Sequence, residues 1–104
     1  MHKDEGAQAQ EYARLYEALC SLQTPDEAQA LLADILSARE LADLAQRLEV
    51  AAMLSSGASY LDVSRSTGAS STTVSRVSKC LNGEAGGYRL VLARLAEKDT
   101  HQQT

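Results

Sequence analysis

A chain of 104 residues, 44% hydrophobic but with four Tyr, no Phe and no Trp, makes one domain whose core must come from Leu, Val, Ala and Ile. One Pro, six Gly and abundant Ala, Leu, Glu, Gln and Arg favour helix over sheet. The net charge of −4 excludes a uniformly basic nucleic-acid binder, and no apolar run is long enough to span a bilayer, so the chain reads as cytoplasmic with no membrane partner.

Cys20 and Cys80 stand far apart, without a CxxC or a neighbouring His, and His2 and His101 sit at the termini. Reduced, packed thiols are therefore expected, with neither a zinc site nor a disulfide scaffold. The charge is unevenly spread. Residues 1–56 carry four bases against ten acids (−6), and residues 57–98 carry six bases against three acids (+3). An acidic half and a basic half suggest a directed electrostatic face. A chain this short buries a modest fraction of its surface alone, so a second copy is a natural way to complete the core.

The first dozen residues are polar, and a flexible terminus is expected over 1–10. Tyr12, Leu15, Tyr16, Leu19 and Leu22 then recur at steps of three and four, the stripe of an amphipathic helix. Thr24-Pro25-Asp26-Glu27 opens a second helix: a capping hydroxyl, a proline suited to the first turn, and two acids at the positive end of the dipole. Its stripe is Ala28, Leu31, Leu32, Ile35 and Leu36. Ser37 and Glu40 have the spacing of a capping box, so a third helix is expected from Ala38, with Leu41, Leu44, Ala45, Leu48 and Ala52 as its stripe and Gly57 as its stop. These leucine stripes are expected to be core.

Two short helices follow. Ser59 is placed to cap Tyr60–Ser66, with Asp62 as reciprocal acid. Thr67-Gly68-Ala69 makes a tight turn, and Ser70 or Ser71 caps a helix to about Leu81, stopped by Asn82-Gly83. Gly86-Gly87 loosens the join to a last stripe of Tyr88, Val91, Leu92 and Leu95. The folded domain is expected over 11–97, with a flexible tail over 98–104.

The segment from Ser59 to Asn82 carries the function. Two steeply crossing helices need a small residue where their backbones approach, and Ser64 supplies it; four residues on, the turn needs a positive φ, and Gly68 supplies that. Val74 and Val77 give the second helix a branched apolar face, and Leu61, Val63 and Ala69 are expected to complete the small core. Together these offsets define a helix-turn-helix. The polar face of its second helix, with the residues that start it, provides the candidate DNA-binding residues Ser70, Ser71, Thr72, Thr73, Ser75, Arg76 and Lys79. Short hydroxyls at the helix start suit phosphates and base edges in the major groove, and Arg76 and Lys79 suit the flanking backbone. Without Gln or Asn for bidentate base contacts, specificity would lean on water and DNA shape. The same face read blandly is capping and solubility.

Ala45-Gln46-Arg47-Leu48-Glu49-Val50, Gly57, and Thr67 through Val77 resemble the Trp repressor superfamily, and within it the YerC/YecD branch of TrpR-related proteins. Lys79-Cys80-Leu81-Asn82 and Gly87 through Leu92 look like that branch too, so the likeness runs from about Tyr12 to Ala96. It implies an all-α, six-helix Trp-repressor-like fold as an intertwined homodimer whose N-terminal helices interlock. It also implies a transcription regulator, a repressor by analogy, that presents two recognition helices to double-stranded DNA.

In the repressor two arginines sandwich the tryptophan indole; the matching positions here are Arg47 and Arg76. Val77 stands where the repressor has a small glycine and Cys80 where it has a serine, so the possible effector pocket of Arg47, Arg76, Val77 and Cys80 argues against tryptophan and leaves any other effector open. Arg47 is equally well placed for an ion pair with Glu40 or Asp43. Tyr12 and Tyr16 suit dimer packing, and Tyr60 suits either surface anchoring or a phosphate contact. A helical protein-interaction module without an operator is the alternative. An enzyme is not supported, for want of an internal His, a Cys–His pair, a phosphate-binding glycine loop or a carboxylate cluster, and no cofactor is expected.

Overall fold

The computed structural model describes residues 4–102, with side chains described for 4–99. Six helices follow one another: α1 (Glu5–Ser21), α2 (Pro25–Ile35), α3 (Ala38–Ser55), α4 (Tyr60–Thr67), α5 (Ser71–Leu81) and α6 (Gly87–Gln102). Among the described residues there is no strand. The chain divides into two compact units at Leu41/Ala42, within α3.

Local chemistry sets the helix starts. In the first unit the Asp4 carboxylate accepts from the Ala7 N–H at 2.6 Å, so α1 begins at Glu5. Residues 5–10, expected to be part of a flexible terminus, are therefore helical; the apolar stripe that announced the helix starts only at Tyr12. At the other end α6 runs to Gln102, into the expected tail, while residues 1–3 and 103–104 lie outside the described residues. Thr24 caps α2 by accepting from Glu27 N–H at 3.1 Å, with Pro25 in the first turn, and the Glu27 carboxylate reaches back to the Gln23 N–H at 2.9 Å.

The capping box at α3 forms as expected. Ser37 Oγ accepts from Glu40 N–H at 3.1 Å, and Glu40 Oε1 accepts from Ser37 N–H at 2.8 Å. The backbone N–H and then the hydroxyl of Ser37 hold the Glu40 carboxyl below its ordinary pKa. A carboxylate lowered in this way adds stability that is present above the unfolded-state pKa and lost as the pH falls through the lowered value. Backbone amide exchange should therefore show the first turn of α3 loosening on acidification through that range. Glu40→Gln, which keeps one acceptor without the charge, should flatten the response; an unaltered acid profile in that variant would rule out the box as its source.

Neither α1 nor α2 contains a buried residue. Tyr12, Leu15, Tyr16, Leu19 and Ile35 are exposed, and of the α3 stripe Leu44 and Leu48 are exposed as well. The stripes are thus not buried core, contrary to the sequence-based expectation: the periodicity is right, but among the described residues these faces are exposed or only half-buried, as at Leu22, Leu31, Leu32, Leu36 and Leu41. The buried core lies wholly in the second unit and is small. It comprises Val50 and Ala51 of α3, Val63 of α4, Ala69 of the turn, and Val74 and Val77 of α5, flanked by half-buried Met53, Leu54, Ala58, Tyr88 and Leu92. Leu61, expected in this core, is 58% exposed. It lies two residues from Val63, about 200° round the helix, so both cannot face inward.

The turn between α4 and α5 is pinned by side chains. Gly68 takes φ +75° and its N–H bonds the Ser64 carbonyl at 2.9 Å. Ser64 Oγ donates to the Ala69 carbonyl at 2.7 Å; Thr67 Oγ1 donates to the Val63 carbonyl at 2.7 Å and accepts from Ala69 N–H at 3.1 Å. From α3, Gln46 Nε2 donates to the Thr67 carbonyl at 3.1 Å. A Cβ at Gly68 would meet nothing within 4 Å, so the requirement for glycine is conformational rather than steric. Gly68→Val should accordingly cost about 2 kcal/mol of left-handed strain and lower Tm by about 10 °C in a circular-dichroism melt. A melt matching the native one would mean that the turn tolerates a β-branched residue.

Candidate nucleic-acid interface

Helix α5 is fixed on one side and free on the other. Ser70 is its N-cap: Ser70 Oγ accepts from Thr73 N–H at 3.1 Å and donates to Thr73 Oγ1 at 3.1 Å. Val74 and Val77 turn into the core, at 1% and 2% exposure. The opposite positions Ser71, Thr72, Ser75, Arg76 and Lys79 are all exposed. Their spacing (steps of four along 71, 75, 79 and along 72, 76) makes them a single stripe along the helix.

Five of the seven residues expected to meet DNA therefore share one outward face. Ser70 and Thr73 hold the helix start, Thr73 being half-buried. The stripe borders a concavity of about 670 Å³, walled by Tyr60 of α4 and by Ser71, Thr72, Ser75, Arg76, Lys79 and Cys80 of α5. Tyr60 is the residue whose place the sequence left open. Its hydroxyl donates to Ser78 Oγ at 2.6 Å, which brings the ring alongside the stripe. A pairing eighteen residues apart has no local signal by which it could be found.

The chemistry of this face is simple. Helix α5 carries Arg76 and Lys79 and no acid along its eleven residues. Hydroxyls lie at its beginning, where the dipole and free backbone N–H groups favour anions, and the cations come one and two turns later. Such a surface attracts a polyanion, and its short hydroxyls can approach base edges closely.

The four residues of the possible effector pocket differ in their settings. Arg76 and Cys80 share the concavity beside Tyr60, whereas Val77 is packed in the core and Arg47 is half-buried on α3; neither is among that concavity's walls. Cys80 also borders a second, largely apolar hollow of about 450 Å³ with Leu48, Ala85, Gly87, Tyr88 and Val91. Glu40, one of the two acids considered for Arg47, has its carboxylate engaged by Ser37. Among the described residues, no three His, Cys, Asp or Glu side chains are grouped to hold a metal, and no helix is long and apolar enough to cross a membrane.

A short tri-helical core, a capped turn on a left-handed glycine and a projecting polar helix with two cations define a helix-turn-helix protein of the DNA-binding class. The sequence pattern of the Trp repressor protein family matches residues 10–96, and the chain belongs to that family of helix-turn-helix regulators. The chain is 37% identical over 94 residues to the uncharacterized protein YerC of Bacillus subtilis (strain 168), covering 90% of each, which puts it in the YerC branch. Two solved structures share the fold. A TrpR-like protein from Eubacterium eligens ATCC 27750 superposes with a TM-score of 0.80 at 39% identity, over 89% of this chain and 96% of that one. A Staphylococcus aureus protein described as a candidate Trp repressor gives a TM-score of 0.80 at 27% identity, over 90% of this chain and 96% of that one.

Proposed function

We propose that this chain is a sequence-specific transcriptional repressor that acts in the cytoplasm as a homodimer, laying α5 of each copy into the major groove of an operator with twofold symmetry. The observation that carries the reading is the α5 stripe: three hydroxyl residues and two cations, exposed together and backed by a rigid core. Arg76 and Lys79 would neutralise phosphates, releasing bound counterions, while Ser71, Thr72 and Ser75 meet base edges directly or through water.

Two copies are favoured by the first unit. Helix α1 exposes a row of Tyr12, Leu15, Tyr16 and Leu19, α2 exposes Ile35, and neither helix has a fully buried residue, as expected of faces that a partner chain covers. Tyr16, 61% exposed, lies in that row. Tyr16→Asp should shift sedimentation of micromolar protein from dimer towards monomer by at least tenfold in Kd, since a charge would be carried into an apolar contact. A native chain that sediments as a monomer at that concentration would refute the homodimer. Val77, turned into the core, and Cys80, a weak hydrogen-bonding partner, weigh against tryptophan as corepressor.

The direct test is an anisotropy titration against duplex DNA selected by the protein from a random pool, at two salt concentrations. Binding that favours the selected duplex and weakens steeply with salt is expected. Negligible, salt-insensitive binding would favour a protein-docking module instead.

A further inference from the structure

Tyr60 is the first residue of α4, and its backbone is set by the Ser59 cap, whose Oγ accepts from Asp62 N–H at 3.1 Å. From there its side chain crosses to α5, where the phenol donates to Ser78 Oγ at 2.6 Å. Ser78 is firmly placed: its carbonyl accepts from Asn82 N–H at 3.2 Å and from Asn82 Nδ2 at 2.9 Å, and its side chain is half-buried. Tyr60 is 52% exposed, so it is only half covered, and the hydroxyl bond adds a specific tie to α5.

Helices α4 and α5 meet at a tight turn. That turn is pinned by Ser64, Thr67 and Gly68, and Tyr60 and Ser78 lie about two turns of helix from it along α4 and α5. Their bond is a second tie between the two helices, a brace remote from the turn. The braced ring is also a wall of the concavity that holds Ser71, Ser75, Arg76 and Lys79.

We propose that Tyr60 is a positioning residue of the DNA interface, whose hydroxyl bond to Ser78 fixes the angle at which α5 projects and thereby sharpens discrimination between sequences. The inference rests on the regulator reading above. Attraction of Arg76 and Lys79 to phosphate tolerates a few degrees of tilt, whereas the reach of short hydroxyls to base edges does not. Losing the brace therefore weakens binding to the selected sequence and leaves gross attraction to DNA in place.

The test uses the full chain, a duplex enriched from a random pool by the native protein, and an unselected duplex. Tyr60→Phe keeps the ring and removes the hydroxyl; Ser78→Ala removes the other partner. Each should lower affinity for the selected duplex about three- to tenfold, with unselected-duplex affinity and the salt slope unchanged. The double variant should be no weaker than the worse single one, because both changes remove the same bond. Equal losses on both duplexes with a shallower salt slope would show a phosphate contact and overturn the brace. So would additive losses, or native discrimination in Tyr60→Phe. Failure of the native protein to enrich any duplex would instead overturn the regulator reading, so the two failures are separable.

Discussion

Val74→Asp is expected to abolish the cooperative thermal transition of the second unit, the largest stability effect foreseen for any single exchange. Val74 is 1% exposed and, among the described residues, packs in a core with five other buried residues, all Val or Ala. No buried polar or charged side chain lies among them to receive a carboxylate. The acid would have to be buried unpaired or be protonated, and either costs more than about 4 kcal/mol, a large share of the stability of a domain this size. Val74→Ala, which removes two methyl groups and leaves a void, should cost about 2 kcal/mol and keep a cooperative melt at lower temperature. The contrast separates loss of packing from burial of charge. An Asp variant that melts like the native chain would show that α5 is not anchored through Val74.

The largest effect on function is expected from Arg76→Ala combined with Lys79→Ala. Both side chains are exposed, on the stripe opposite Val74 and Val77, and alanine is a strong helix former, so helix content and Tm should stay close to native. Each cation that neutralises one phosphate contributes about 0.9 to the slope of log affinity against log salt, so the double variant should lose about 2 from that slope. At moderate salt its affinity for duplex should fall roughly a hundredfold, from two charge-assisted contacts of about 1.5 kcal/mol each. A native slope in the folded double variant would place the phosphate contacts elsewhere on the molecule.

Which parts of this were legible in the sequence follows from the range of each signal. Thr24, Ser37 with Glu40, Ser59 and the pair Ser70-Ser71 announce helix starts because a cap and its partner lie three residues apart, and Ser70 is the member of that pair that caps α5. Gly68 is legible for the same reason: its φ is a local demand. Spacing around that turn marks Val63, Ala69, Val74 and Val77 as core, and all four are buried. Leu61 is apolar and so reads as core, but the helical period places it opposite Val63, and it is exposed. The stripes on α1, α2 and α3 show that apolar periodicity tells which face wants a cover, not whether the cover comes from the same chain. Non-local bonds such as Gln46 to Thr67 and Tyr60 to Ser78 left no trace at all, since they depend on how helices cross.

Of the candidate site, the stripe Ser71, Thr72, Ser75, Arg76, Lys79 was legible as a helical period, and its exposure follows from Val74 and Val77 being buried behind it. The grouping of Arg47 and Arg76 with Val77 and Cys80 rests on family resemblance, from which Val77 and Cys80 both depart, and the Val77 side chain is part of the core.

Chemical-shift mapping of the backbone amides during addition of a selected duplex bears most directly on the role of α5. The largest changes should fall on Ser71, Thr72, Ser75, Arg76 and Lys79, with Tyr60 beside them. Changes that gather on Tyr12, Leu15, Tyr16 and Leu19 while α5 stays silent would contradict it.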